Sequence, residues 1–105
     1  ALTAGFTATA VDDGTLATGT YTPTPVSGNL RRIVNGGTFS FAAPAASGDY
    51  TIVVQITNNG SAGAITLTGF SKTTGDAFTT TNGDDFLVFI TNVNGFTSAV
   101  VQALQ

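Results

Sequence analysis

Apolar and polar residues alternate with a period of two along most of the chain after Asn29. The clearest run is Tyr50–Thr57, in which Ile52, Val54 and Ile56 fall on one face. Clusters of Asn, Gly, Asp and Pro interrupt the alternation about every 8–12 residues, which is typical of turns between short strands. Because no stretch repeats at the 3.6-residue period of an amphipathic helix, the pattern predicts an all-β protein.

The alternation and its interruptions place ten candidate strands. They are Leu2–Val11, Leu16–Tyr21, Leu30–Val34, Thr38–Phe41, Tyr50–Thr57, Ala64–Thr68, Phe70–Thr73, Thr79–Thr81, Phe86–Val93 and Phe96–Leu104. Asn-Gly turns at Asn35 and Asn94 predict hairpins, since both residue types tolerate positive φ. Residues 1–24 are rich in Thr, Ala, Gly and Pro and are expected to form an N-terminal edge strand or arm. The prediction is a single domain over residues 1–105, an antiparallel β-sandwich of jelly-roll or immunoglobulin-like type, with a closed barrel as the alternative.

Two segments of the chain repeat one pattern. Ile52–Asn58 aligns with Phe86–Asn92, and each follows Gly-Asp and precedes a turn that contains Gly. The alignment predicts two equivalent strands whose inward side chains match. The inward sets are Ile52, Val54 and Ile56 in the first strand and Phe86, Val88 and Ile90 in the second. The second segment is also apolar on its other face, at Leu87 and Phe89. We therefore expect that face to be covered within the fold or by another subunit.

Composition excludes several kinds of chemistry. Only 9% of the residues are charged, and the chain contains no His and no Cys. Thiol nucleophiles, histidine bases and the common transition-metal sites are thereby excluded. Asp12–Asp13 and Asp84–Asp85 lack the spacing of a calcium loop and are interpreted as solvated turns. We expect no enzyme activity and no cofactor or metal.

Charge and hydropathy also limit the partners. Three basic residues are too few for a phosphate-binding patch, and no apolar run is long enough to span a bilayer. Nucleic acid and membrane are therefore not expected as partners. Arg31 and Arg32 face opposite sides of a strand, so we expect one to be exposed and the other to bind a carboxylate or carbonyl. Five side chains are candidates for contact with a protein partner: Leu87, Phe89, Arg31, Arg32 and Tyr21.

A series of motifs between Gly19 and Gln105 connects the chain with a known class of domain. These motifs are Gly19–Pro23, Asn35–Gly37, Ser61–Thr66, Gly69–Lys72, Gly75–Asp76, Thr79–Phe86, Asn94–Phe96 and Val100–Gln105. In this order they resemble a small all-β structural domain of tailed-bacteriophage virion proteins, and residues 1–18 lie outside the resemblance. The motifs consist of turn and core residues, so the resemblance carries over no active site.

The resemblance implies a role in the virion, with assembly in the host cytoplasm. The leading expectation is a capsid decoration (cement) protein that stabilises the head. Its expected partners are the major capsid protein or other virion proteins, together with self-association, for example as a trimer. A tail or head-fibre module is the alternative within the virion. A receptor- or glycan-binding adhesin domain is an alternative of a different class.

Overall fold

Every regular element that the structure describes is a β-strand. The computed structural model describes residues 8–26, 28–45 and 47–105. The strands are β1 (Val11–Leu16), β2 (Thr20–Tyr21), β3 (Leu30–Asn35), β4 (Phe39–Ala42), β5 (Tyr50–Asn58), β6 (Ile65–Thr68), β7 (Lys72–Gly75), β8 (Asp85–Val93) and β9 (Phe96–Ala103). The all-β prediction is therefore confirmed. The predicted strand at Leu2–Val11 lies mostly outside the described residues, and Thr79–Thr81 belongs to a loop.

The strands form two sheets that face each other. The large sheet has the order β1-β3-β5-β8-β9-β7, and the small sheet has the order β2-β4-β6. Neighbours among β1, β3 and β5 are parallel, as are those among β2, β4 and β6. Three successive turns of the chain therefore each add one strand to each sheet, which is the architecture of a β-solenoid.

The turns of the solenoid differ in length. Val11 lies beside Arg31, which is 20 residues further along, whereas Leu30 lies beside Val53, which is 23 residues further along. Solenoids are recognised in a sequence by a fixed repeat length. Because the turns are unequal, the sequence contains no such repeat.

The predicted antiparallel sandwich and its barrel alternative are wrong. Period-two alternation shows which face of a strand is buried, but a parallel and an antiparallel neighbour can bury that face equally well. The predicted hairpin at Asn35 is also wrong, because β3 and β4 belong to different sheets. The segment Asn35-Gly36-Gly37 instead forms a corner of the solenoid. There the Gly36 N–H donates to the carbonyl of Leu16 on the preceding turn, at 2.8 Å.

The hairpin of β8 and β9 extends the large sheet beyond the last turn of the solenoid. Both strands pair in antiparallel fashion, β8 with β5 and β9 with β8. Asn94 and Gly95 connect them with φ values of 54° and 80°. Two successive positive φ values define a type I′ turn, so the hairpin predicted at Asn94 is confirmed.

The hydrophobic core lies between the two sheets. Across β5 and β8, Ile52 lies opposite Ile90, Val54 opposite Val88 and Ile56 opposite Phe86, and all six side chains are fully buried. The inward sets predicted from the repeated pattern are therefore confirmed. Among the residues that the structure describes, the remaining buried apolar side chains are Tyr21, Ile33, Phe39, Phe41, Ala99 and Val101.

Two buried asparagines hold a corner of the solenoid together. Asn35 and Asn58 occupy the ends of β3 and β5 and are register partners. The Asn35 side chain donates to Asn58 Oδ1 at 3.1 Å and to the carbonyl of Gly63 at 2.9 Å. It also accepts from the N–H groups of Gly37 and Gly63. These bonds satisfy main-chain groups where the chain leaves one sheet for the other.

Candidate functional site

The outer face of the large sheet, which points away from the core, carries a row of apolar side chains. Leu30, Val53, Phe89 and Val100 are successive register partners on β3, β5, β8 and β9. Leu30 and Val100 are 39% and 41% exposed, and Val53 and Phe89 are half-buried. With strands about 4.8 Å apart, these four side chains, termed the apolar row, extend about 14 Å across the sheet.

Leu87 widens the apolar row on β8. It lies two residues before Phe89 on the same face and is half-buried between its register partners Gln55 and Gln102. Leu87 and Phe89, two of the side chains that the sequence singled out, therefore lie side by side on the outer face. Exposed apolar side chains that lie adjacent to one another are typical of interaction surfaces, whereas scattered ones are common on any protein.

Polar side chains surround the apolar row. Asp85 accepts hydrogen bonds from Thr57 Oγ1 at 2.6 Å and from Gln55 Nε2 at 3.1 Å. On the side of the row that faces the β8–β9 turn, the hydroxyls of Thr91 and Ser98 lie 2.9 Å apart. These groups are already paired within the chain, so a partner need not satisfy them.

The charges of the outer face lie at its margins. Asp12 on β1 and Arg32 on β3 form an exposed ion pair at 3.1 Å. Lys72 lies on the opposite edge strand, β7, and Asp85 lies at the start of β8. With two acidic and two basic side chains on its strands, the outer face carries no net charge.

Arg31 and Tyr21 belong to a buried cluster beneath the same sheet. Arg31 is 7% exposed, Tyr21 is 8% exposed, and both bind the carboxylate of Asp13. The two contacts of Arg31 Nη1 with the carboxylate oxygens measure 3.1 and 3.0 Å. Tyr21 in turn packs edge to face against Phe41 in the core. The cluster thus connects β1, β2 and β3.

The remaining donors of Arg31 bind main-chain carbonyls. Its Nε donates to the carbonyls of Thr24 and Gly28, and Nη2 donates to that of Val26 at 2.7 Å. One guanidinium therefore fixes both sides of the connection between β2 and β3. As the alternation predicts, the neighbouring Arg32 faces outward.

The five candidate contact residues divide into two groups. Leu87, Phe89 and Arg32 lie on the outer face, whereas Tyr21 and Arg31 are buried together and are not available to a partner in this fold. The apolar row includes three further side chains that sequence reasoning missed, namely Leu30, Val53 and Val100. Alternation places each of them on a face, but only the register between strands shows that they are adjacent.

Tyr21 gives the fold a dependence on alkaline pH. Burial raises the pKa of the Tyr21 phenol above its ordinary range, and its hydrogen bond to Asp13 raises the pKa further. Below about pH 10 the phenol is neutral in both the folded and unfolded states. Above that pH only the unfolded state ionises readily, so we expect the free energy of unfolding to fall by up to about 1.4 kcal/mol per pH unit.

Urea unfolding between pH 8 and pH 11 measures this dependence. This pH range extends to both sides of the ordinary phenol pKa of about 10. The Tyr21→Phe variant should lose most of the alkaline decline. The matched control is Tyr50→Phe. Burial also raises the pKa of the Tyr50 phenol, but this variant keeps the buried pair of Tyr21 and Asp13 and should retain most of the decline. An unchanged slope in Tyr21→Phe would show that other groups cause it.

A groove of about 450 Å³ lies between the edge strands β6 and β7. Its polar lining consists mainly of threonine hydroxyls and main-chain groups, with Asp76 as the charged residue. The Asp76 carboxylate already accepts from the N–H of Ala103 at 2.8 Å. In residues 8–26, 28–45 and 47–105, no three His, Cys, Asp or Glu side chains come together as a metal site. The groove therefore offers less recognisable chemistry than the outer face.

Comparisons with known proteins add no relative. No protein-family model matches the sequence, and no curated protein or solved structure shows a significant match to the chain. Within the described part of the chain, no helix is long and apolar enough to cross a membrane. The arrangement of the outer face is therefore the principal structural basis for a functional proposal.

Proposed function

We propose that the chain is a structural domain of a tailed-phage virion, specifically a capsid decoration protein that stabilises the head. The observation that carries the proposal is the apolar row on the outer face of the large sheet. The resemblance of Gly19–Gln105 to virion structural domains supports the same role. The outer face is the surface through which the domain joins the assembly.

Binding through this face suits a protein present in many copies. Burying apolar surface contributes about 25 cal/mol per Å², so an area of a few hundred Å² gives a moderate affinity for one contact. In a lattice, each subunit makes several such contacts, and their combined effect is much larger than that of one contact. Moderate exposure of Leu30 and Val100 is therefore compatible with a stable particle.

The scaffold behind the face is suited to assembly without chemical processing. The chain contains no Cys, so its folding requires no change of redox state between synthesis in the cytoplasm and the finished particle. The strands that carry the face are joined by continuous main-chain pairing and lie on a fully buried core. Such a sheet holds the apolar row in a fixed position for a partner.

The proposal predicts that purified particles contain this chain in a simple ratio to the major capsid protein. Quantitative mass spectrometry measures that ratio. A ratio near unity, or a simple fraction set by the lattice, supports decoration. A few copies per particle would place the chain in the tail or a fibre, and complete absence would refute a role in the virion.

The outer face should be needed for incorporation into particles. Phe89→Asp places a charge in the apolar row and should remove the chain from particles while the protein remains folded. The matched control is Thr66→Asp, which adds the same charge to an exposed position on the small sheet. Circular dichroism checks folding. If Phe89→Asp unfolds the protein, Phe89 belongs to the core, and the assignment of this face to assembly is wrong.

A further inference from the structure

We propose that the outer face of the large sheet binds the same face of a second copy of this chain. This inference rests on the proposed assembly role of that face and names the partner. Area, charge and arrangement of the face each favour a copy over a different macromolecule.

The area of the face matches the requirement of a stable dimer. Six strands about 4.8 Å apart give a width of about 24 Å, and the nine-residue strands β5 and β8 are about 30 Å long. The product is roughly 700 Å² on each partner. Stable protein–protein interfaces bury about 800 Å² per partner, so the strands alone supply most of the needed surface.

The charge of the outer face allows the outer faces of two copies to pack together. The whole chain has a net charge of −3, but the strands of this face balance Asp12 and Asp85 against Arg32 and Lys72. A strongly charged partner would gain little from a neutral surface, whereas two copies suffer no net repulsion. The excess negative charge belongs to Asp49, Asp76 and Asp84, which lie in the loops next to β5, β7 and β8 and outside the strands.

Polar side chains border the apolar row, and beyond them the exposed pair Val93 and Phe96 lies on the same face at the β8–β9 turn. The apolar row crosses the four strands β3, β5, β8 and β9, between the flanking strands β1 and β7. A hydroxyl row lies on one side of it at Thr51, Thr91 and Ser98, and Gln55 and Gln102 lie on the other. When two sheets stack about 10 Å apart, such rows can superpose, so that the apolar row of one copy packs against the apolar row of the other.

Sedimentation equilibrium of the full chain, from about 1 µM to about 1 mM, tests the proposal, because this range spans moderate dissociation constants. We expect the wild-type mass to rise with concentration. Val100→Asp should weaken self-association at least about tenfold, since it buries an unpaired charge in the interface. Val100 is 41% exposed, so this variant is expected to keep the fold. The control Thr66→Asp should associate as the wild type does.

Cross-linking identifies the face directly. Because the chain contains no Cys, a single Val100→Cys variant provides one reactive thiol per copy. We expect a short bis-maleimide to join two copies of Val100→Cys efficiently and to join copies of the exposed control Thr66→Cys poorly. Covalent dimers from Val100→Cys, combined with loss of association in Val100→Asp, support the same face on both copies.

Three results would overturn the inference. These are a wild type that stays monomeric over the whole concentration range, self-association that survives unchanged in Val100→Asp, and more efficient cross-linking by Thr66→Cys than by Val100→Cys. If the chain is monomeric yet present in particles, the face binds another virion protein and only the inference fails. If the chain self-associates yet is absent from particles, the proposed function fails and the inference stands.

Discussion

Replacing Arg31 with alanine is expected to lower the free energy of unfolding by about 3–5 kcal/mol, the usual cost of breaking a buried ion pair. Arg31 is 7% exposed and its partner Asp13 is 19% exposed, so water compensates little for the loss. The variant leaves the Asp13 carboxylate without its cation. It also removes the donors that hold the carbonyls of Thr24, Val26 and Gly28.

Arg32→Ala is the matched control for this prediction. Arg32 is adjacent in the chain, is more than half exposed and forms an ion pair with the similarly exposed Asp12. Exposed pairs of this kind contribute about 0.2–1 kcal/mol. Urea unfolding followed by circular dichroism should therefore separate the two variants by at least about 2 kcal/mol, the difference between the two ranges.

A double variant tests the physical reason for the loss. In Asp13→Ala/Arg31→Ala no unpaired carboxylate remains, so the combined loss should be smaller than the sum of the two single losses. Additive losses would show that the two side chains do not stabilise each other. A loss below about 1 kcal/mol in Arg31→Ala would show that the guanidinium is not needed to connect β2 and β3.

The positions of the strands could be predicted because alternation is a local property. The sequence predicts strands at Tyr50–Thr57 and Phe86–Val93. The structure has strands at Tyr50–Asn58 and Asp85–Val93, which bury every second side chain. The partners of the strands could not be predicted in the same way. The sequence of a strand does not indicate that its parallel neighbour lies 20 residues away. Because the turns are unequal in length, the sequence also lacks the fixed repeat that would have indicated a solenoid.

The candidate interaction surface was predicted in part for a related reason. Leu87 and Phe89 were visible because β8 is apolar on both faces. Leu30 and Val100 are single apolar residues in the sequence, and their place in one row with Phe89 depends on the register of β3, β5, β8 and β9. The sequence predicts Tyr21 and Arg31 as contact residues. In the fold, both side chains instead bind the carboxylate of Asp13.

The sequence likewise predicts Asn35 as a turn residue. In the fold it is a buried structural group. Its neighbours Gly36 and Gly37 suggested a two-strand hairpin. In the structure, its carboxamide replaces main-chain pairing at a corner where the chain changes sheets. A side chain with both a donor and an acceptor is required there, because the corner exposes main-chain groups of both kinds.

Replacing Asn35 with alanine is therefore expected to lower the free energy of unfolding by about 3 kcal/mol, because buried groups left without partners cost about 1–3 kcal/mol each. The variant removes the acceptor for the N–H groups of Gly37 and Gly63 and the donor to Asn58. A side chain at position 63 could not replace these bonds, since Gly63 lies against the backbone of the segment at residues 37–38.

Asn59→Ala provides the control for this corner. Asn59 directly follows Asn58 in the chain, but its side chain makes one local bond, to the N–H of Ser61, and its removal should cost no more than about 1 kcal/mol. Urea unfolding of both variants and hydrogen exchange at Gly37 and Gly63 measure the difference. Faster exchange at these two amides in Asn35→Ala, with little change in Asn59→Ala, is the expected result. Equal losses in the two variants would mean that the buried carboxamide does not hold the turns of the solenoid together.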